Sequence, residues 1–308
     1  MRVLVETKGM DRDQWIWHRK QGIGGSDAAA IAGVHKYKSP LVLYMEKVGL
    51  YEQKVENEAA LWGNLLEDTV AKEFIRRYNE ALSDEFESQG INMYNLAKIQ
   101  RRNAILQHDE YDFMLMNVDR FMSCPVKGRG ILEVKTASVR VADEWKGEDV
   151  PNAYFVQVQH YLAITGLDYA YMAVLIGGQE MRYYYIPRDQ EFIDDLIEIE
   201  KRFWYENVLA SNPPEVDGSD STTEMYKILY PVHRDRYVLE LPSTGIDLIL
   251  QREHYREMMD HAEENKKRCE NSLKDMMKEA EEANAGPHKV TWKTAKNGVR
   301  SMKFKIGK

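Results

Sequence analysis

The chain has 308 residues, 44% of them apolar and 30% charged, and a formal net charge of -8. That is the make-up of an ordinary globular protein, long enough for one large domain with an appendage or for two modest domains, and it excludes global disorder. No run approaches the roughly 18 apolar residues of a membrane helix, and MRVLVETKGMDRDQW at the start holds neither a signal-peptide core nor a cleavage site, so a cytoplasmic location is expected.

In chain order, MDRDQWIWHRKQ reads as a short helix running into the loop GIGGSD, where Ser26 or Asp27 caps the next helix, AAAIAG, stopped at Gly33. Another helix follows Pro40 in LVLYMEKVGL. From about Glu56 to Ala81, Leu61, Leu65, Val70, Phe74, Ile75 and Tyr78 recur at helical spacing and predict one long helix. The texture then changes to strands: INMY, a short piece at KIQRR, and DFMLMNVDRFMS followed by GILEVKTA, the last two joined into a hairpin by the turn-rich CPVKGR. VADEWKGE and NAYFVQVQHYLAITG return to helix. YAYMAVLIGG and MRYYYIPR form a second hairpin across Gly177-Gly178, and DQEFIDDLIEIEKRFWYENVLA is an amphipathic helix. The sum is an α/β fold with helices on both sides of a mixed central sheet.

SNPPEVDGSDSTT has the composition of a linker, which puts the end of a globular body near Ala210. The expected organisation is a domain over 1–210, a linker or irregular segment over 211–243, and an appended part over 244–308. In that last part, Thr244 to Ala285 reads as one long charged helix with an apolar seam of Met259, Ala262, Cys269, Leu273, Met276 and Ala280, interrupted by Lys266. A coiled-coil-like arm and simple docking on the body are both open. KVTWK and SMKFK around Lys296-Asn297-Gly298 make a terminal β-hairpin. From Gly286 onward the tail has Lys289, Lys293, Lys296, Arg300, Lys303, Lys305 and Lys308 and no acid, so basic charge is segregated even though the total is acidic. Trp292 among these lysines either stacks on an exposed base or anchors the hairpin.

The chemistry concentrates in RGILEVKTA. Side chains alternate across a strand, so Glu133 and Lys135 share a face while Val134 points away, and Asp119 on the preceding strand can lie beside them. Two carboxylates and an ammonium suit a hard divalent ion that completes its shell with water and phosphate oxygens. A surface ion pair is the competing reading of an isolated E-x-K, but the apolar flanks argue against exposure. Elsewhere, Cys124 and Cys269 are too few for a disulfide framework or an iron–sulfur cluster and read as free thiols. GIGGSD follows a helix rather than a strand, which argues against a dinucleotide fingerprint. His35, His108 and His160 have no ligand-like partners in spacing, and Tyr183, Tyr184 and Tyr185 read as packing residues.

An Asp on one strand and Glu-x-Lys on its neighbour, with a helix before and a Gln-bearing helix after, resembles the PD-(D/E)xK nuclease core. RKQGIGGSDAAAIAG, WGNLLEDTVAKEF, NVDRF, ILEVKTAS and YFVQVQHYLAITG, in that order, resemble the YqaJ-type viral recombinase family, relatives of lambda exonuclease and of the RecE nuclease domain, over roughly residues 12 to 187. The resemblance implies a restriction-endonuclease-like fold and a Mg²⁺- or Mn²⁺-dependent exonuclease with two ions per site, acting 5′ to 3′ on double-stranded DNA ends. It makes Asp119 and Glu133 metal carboxylates, the Val134 carbonyl a metal ligand, Lys135 the catalytic lysine, Glu67 the helical glutamate and Gln157 the active-site glutamine. Arg19 and Ser26 match the pair that holds a terminal 5′-phosphate, a role a forked guanidinium, a hydroxyl and loop amides suit; Arg140 is a looser candidate for the same pocket. It also implies a ring-shaped homotrimer or homotetramer and a RecT-type annealing partner. The sequence departs from the pattern at Arg120, where many relatives have Gly, at Asn117, where a phosphate-binding serine is expected, and in the long arm and tail. A structure-specific or restriction-like endonuclease and a non-catalytic DNA-binding module are the alternatives.

Overall fold

In the computed structural model, which describes residues 1–52, 58–88 and 96–307, the chain forms two units, Met1–Val232 and His233–Lys308. The first opens with strand β1 (Arg2–Glu6), which the sequence reading leaves as coil because only Val5 of RVLVE turns inward. Helix α1 (Arg12–Lys20) starts where the Asp11 carboxylate accepts from the Gln14 amide. Helix α2 (Gly25–Ile31) starts earlier than expected, with Gly24 as N-cap: Asp27 lies inside the first turn and its carboxylate accepts from the Gly24 N–H at 3.0 Å. Helix α3 (Pro40–Lys47) has Ser39 as its cap and Pro40 in its first turn. Helix α4 (Glu58–Ser88) continues past the expected Ala81. The expected start at Glu56 and the expected strand INMY lie outside the described residues.

Strands β2 (Lys98–Gln100), β3 (Ala104–Gln107), β4 (Leu115–Met116), β5 (Arg120–Cys124) and β6 (Gly128–Ala137) follow. DFMLMNVDRFMS is thus two strands rather than one. β4 joins β3 and β1 in a three-stranded sheet, whereas β5 pairs with β2 and β6 in a five-stranded one. The inward alternation of Met114, Met116, Val118, Arg120 and Met122 runs straight through the switch, which is why the pattern does not show it. A 3₁₀ turn (Val139–Trp145) replaces the helix expected at VADEWKGE. Helix α5 (Asn152–Thr165) ends at Gly166, which takes the left-handed conformation that favours glycine. Strands β7 (Tyr169–Ile176) and β8 (Glu180–Pro187) form the hairpin across Gly177-Gly178, and helix α6 (Gln190–Arg202) runs into a π-type stretch, Phe203–Leu209.

The larger sheet has the order β2-β5-β6-β7-β8 and is antiparallel except for β6 and β7, which are parallel and joined through α5. Period-two alternation decides what each face of β6 meets. Ile131 packs with Met172, Val174 and the α5 residues Val158 and Leu162, whereas Leu132 and Val134 pack with Val70, Phe74 and Tyr78 of α4. Helices therefore cover both faces of a mixed sheet, the expected fold class. Helix α7 (Asp220–Leu229) falls in the segment read as linker; it belongs to the first unit, with Met225 buried, Ser39 Oγ and Thr222 Oγ1 sharing a 2.8 Å hydrogen bond, and Ser221 Oγ accepting from the Ser39 amide. Hydroxyl contacts of this kind leave no apolar signal in the sequence.

In the second unit, helix α8 (Ser243–Met277) stops short of the expected Ala285, because Glu282–Ala285 forms strand β9 instead. With β10 (His288–Thr294) and β11 (Arg300–Lys305) it makes a three-stranded antiparallel sheet in the order β11-β10-β9. The expected hairpin is there, with Gly298 at positive φ in its turn. The Arg300 guanidinium lies over the Trp292 ring at 3.6 Å and donates to the Lys278 and Ala280 carbonyls, tying the sheet to the end of α8. Lys308 of the basic tail lies outside the described residues.

Candidate active site

The register of β5 against β6 creates the site. β5 begins at Arg120, opposite Leu132, so β6 from Glu133 onward has no strand partner on that side. Asp119, immediately before β5, fills the gap: its Oδ2 accepts from the Val134 N–H at 2.8 Å. A residue's N–H and C=O leave an extended strand on the same side, so the Val134 carbonyl is aimed toward Asp119 as well. Glu133 and Lys135 lie on the α5 face, where Glu133 Oε1 accepts from Lys135 Nζ at 2.8 Å and from Gln157 Nε2 at 2.6 Å. Gln157 Nε2 also reaches the Tyr161 hydroxyl at 3.2 Å, one turn along α5.

Glu133 is 3% exposed, and its second oxygen, Oε2, is buried without a hydrogen-bond partner among the described residues. A buried carboxyl oxygen left unpaired is costly; Glu200 Oε2, beside His160, is the other such atom among the described residues, and Glu133 differs from it in having Asp119 and Lys135 as neighbours, the setting that suits a ligand. Burial and the neighbouring Glu133 push the Asp119 carboxyl up to about 8. Burial opposes the Lys135 charge, but Glu133 and Asp119 outweigh it and hold the ammonium above its ordinary pKa. Among the described residues no three Asp, Glu, His or Cys side chains form a ready cage for a metal. The donor set is two carboxylates and one carbonyl, all hard oxygens with one buried atom unsatisfied. That fits a small hard cation completing its shell with water and phosphate oxygens.

Glu67 stands close enough to Asp119 to raise its pKa, yet its Oε1 is already engaged by Arg120 Nη1 at 2.5 Å and Arg101 Nη2 at 2.6 Å. Arg120, 3% exposed, also reaches Asp68 at 3.0 Å. Arg120 therefore holds Glu67 in place.

The second part of the site is the loop between α1 and α2. Arg19 Nη2 lies 3.4 Å from Ser26 Oγ and 3.5 Å from Asp27 Oδ2, at a recess of about 270 Å³ whose walls include Lys20, Lys38 and Lys47. Its glycines are needed for close approach. A Cβ on Gly24 would sit 2.4 Å from the Arg19 guanidinium, and one on Gly25 would sit 2.6 Å from the Tyr161 ring and 2.8 Å from Gln157 Cγ. Gly25 thus seats the loop on the α5 residues that serve Glu133, making the two parts neighbours. Arg140 is exposed on the 3₁₀ turn, is not among the residues lining the recess, and its side chain makes no contact there.

Lys47, which sequence reasoning passes over, fastens this loop. From the end of α3 its buried ammonium donates to the Gly22 and Arg19 carbonyls at 2.6 and 3.1 Å and to Asp27 Oδ2 at 2.8 Å. Burial opposes ionisation of Asp27, yet Lys47 and Arg19 overcome it and hold its carboxyl well below the usual range. His160 Nδ1 meets Glu200 at 2.8 Å and its Nε2 meets the Leu115 carbonyl at 2.9 Å, a fully buried pair beneath the same loop. The one signal for Lys47 in the sequence is a lysine at the end of a largely apolar helix.

The chain matches the model of the YqaJ-like viral recombinase domain over residues 14–168. It is also 38% identical over 307 residues to the uncharacterized protein YqaJ of Bacillus subtilis (strain 168), covering 98% of this chain and 90% of that one. The chain belongs to the YqaJ-like viral recombinase family. Protein D345L of African swine fever virus (strain Badajoz 1971 Vero-adapted) is similar to this recombinase-family chain over a shorter stretch, 30% identical across 25% of this chain and 22% of that one. Among solved structures, the alkaline exonuclease LHK-Exo of Laribacter hongkongensis matches 65% of this chain and 94% of its own at 14% identity and a TM-score of 0.46. Its complex with dAMP gives 16% identity and 0.49 over the same shares. The matched stretch spans Arg19, Ser26, Glu67, Asp119, Glu133, Val134, Lys135, Arg140 and Gln157. Membership in this family supports a nuclease acting on DNA. Among the described residues no helix is long and apolar enough to cross a membrane.

Proposed function

We propose that this chain is a divalent-metal-dependent deoxyribonuclease that hydrolyses linear double-stranded DNA from its ends, 5′ to 3′, leaving 3′ single-stranded tails for a RecT-type annealing partner. The observation that carries the reading is the convergence of Asp119, Lys135 and Gln157 on Glu133 and the adjoining Val134 amide, with one buried Glu133 oxygen left without a partner among the described residues. Mg²⁺ or Mn²⁺, two ions per site, would be held by Asp119, Glu133, the Val134 carbonyl and Glu67, and when bound supplies an activated water and positive charge beside the phosphodiester.

The chain's own groups define the rest. Lys135, which Glu133 and Asp119 hold as an ammonium in the metal-free chain, orients or deprotonates the attacking water and offsets charge building on the phosphate. Gln157 binds Glu133 Oε1 and leaves Oε2 free. Arg19 and Ser26 hold the terminal 5′-phosphate of the strand being shortened, with Lys47 and Asp27 fixing the loop that presents them. A ring of three or four copies would keep the enzyme on its duplex.

The test is digestion of linear duplexes labelled at either strand end, with and without 5′-phosphate, beside covalently closed circles, in Mg²⁺ and in EDTA. Mg²⁺-dependent loss of the 5′ label, favoured by 5′-phosphate and sparing circles, is expected. Cleavage of circles would transfer the assignment to an endonuclease, and no cleavage in any metal would leave a non-catalytic binding module. Sedimentation of the protein reads the copy number.

A further inference from the structure

A second polar surface lies on the same sheet face as the catalytic residues. Arg129, Ile131, Glu133 and Lys135 alternate onto one side of β6, so Arg129 is displaced from Glu133 along the strand by roughly 13 Å. Next to Arg129 in register stand Ser123 of β5 and then Lys98 of β2, and one step along stand Phe121 and Gln100. Here the five-stranded sheet and β1 and β3 border a recess of about 220 Å³, lined by Arg2, Arg101, Arg102, Arg129, Gln100 and Phe121 and by no carboxylate.

Two of the four guanidiniums have no acid partner among the described residues: Arg2, whose Nε donates to the neutral Gln107 amide at 2.9 Å, and Arg129, which lies over the Phe121 ring at 5.6 Å. Arg102 is paired through both Nη atoms with the Glu6 carboxylate. Arg101 belongs to both places, since it lines the recess and donates to the active-site Glu67 at 2.6 Å.

We infer that this recess is a track for the sugar–phosphate backbone of single-stranded DNA, running from the catalytic centre past Arg101 to Arg129. The inference rests on the nuclease reading above. Clustered guanidiniums recognise phosphates, and an aromatic ring beside a basic groove suits a strand with unstacked bases. Duplex DNA is an outcome of the test.

The experiment measures binding of oligo(dT) and of a blunt duplex to the full chain in EDTA over a series of salt concentrations. It uses wild type, Arg2→Gln/Arg129→Gln and Arg2→Lys/Arg129→Lys. Hydrolysis of a linear duplex by wild type is measured in parallel. The glutamine pair should reduce the salt slope for oligo(dT) by about 1.4, with roughly tenfold weaker binding, and the lysine pair should restore the slope. An unchanged slope in the glutamine pair overturns the track while wild-type hydrolysis leaves the nuclease reading intact. A loss confined to blunt duplex overturns the single-strand assignment. Absence of wild-type hydrolysis is the separate failure of the nuclease reading.

Discussion

Two clusters of buried charge stand side by side in this protein and are built to opposite ends. Around Asp27, every strong group has a partner: its Oδ2 takes the Lys47 ammonium, the Gly24 amide and the Arg19 guanidinium, and its carboxyl is held ionised. Around Glu133, one carboxylate oxygen is left unpaired and the adjacent Asp119 is pushed up to about 8. The first cluster is complete as it stands and serves to shape a loop. The second is incomplete, and a cluster that is unstable until something binds is the one where chemistry is expected.

The contrast can be broken at either cluster. The largest effect falls on the open one: Asp119→Asn should reduce duplex hydrolysis by about 10³-fold or more, with no loss of melting temperature, because the amide oxygen still accepts from the Val134 N–H while the carboxylate that burial and Glu133 disfavour is gone. A melting temperature that drops with activity would reduce the cluster to a structural knot.

Next comes pH. Asp119 titrates near 8 in the folded chain against an ordinary 3.8, so between those values the folded state holds a proton that the unfolded chain has released. Its contribution to stability therefore falls as pH rises through that window and is level above it. In EDTA, thermal unfolding should show this decline from about pH 5 to 8; Asp119→Asn should flatten it and a divalent ion should reverse it. Asp27, depressed instead, contributes stability at neutral pH that is lost only in acid.

At the closed cluster, Lys47→Met leaves the buried Asp27 carboxylate with only the Gly24 amide and the more distant Arg19 guanidinium, and urea unfolding should register a loss of about 3–5 kcal/mol. Adding Asp27→Asn should recover part of that, since the two removals are coupled. Additive losses would show that the pair does not act as one unit. Smallest is Gly25→Ala, whose methyl group meets the Tyr161 ring and Gln157. Overpacking there should cost about 1–3 kcal/mol and lower hydrolysis by displacing Gln157 from Glu133, both read on one preparation by calorimetry and initial rates.

Much of the site was legible because its signals are local. Glu133 and Lys135 share a face through strand periodicity alone, Gln157 and Tyr161 meet through one helical turn, and the α5, β7 and β8 elements follow from apolar runs closed by Gly166 and Gly177-Gly178. What escaped depends on partners distant in sequence. The break between β4 and β5, which frees the edge of β6 for Asp119, has no mark in an alternation that continues across it. Lys47 reads as the end of an amphipathic helix until Gly22 and Asp27 are brought to it. Arg120 reads as an odd residue in a strand until α4 supplies Glu67 and Asp68.

Side-chain periodicity, encoded within a few neighbours, determined from sequence alone the α/β class, and the ordered motifs pointed to the family and to the acids, lysine and glutamine of the candidate site. Tertiary structure decided which oxygen is left without a partner, which glutamate is already held by arginines, that Arg140 stands apart from the loop recess, and where an arginine-lined groove lies. Those outcomes depend on register and on contacts between segments far apart in the chain, where burial and partner count, not residue type, set the energy of a charge.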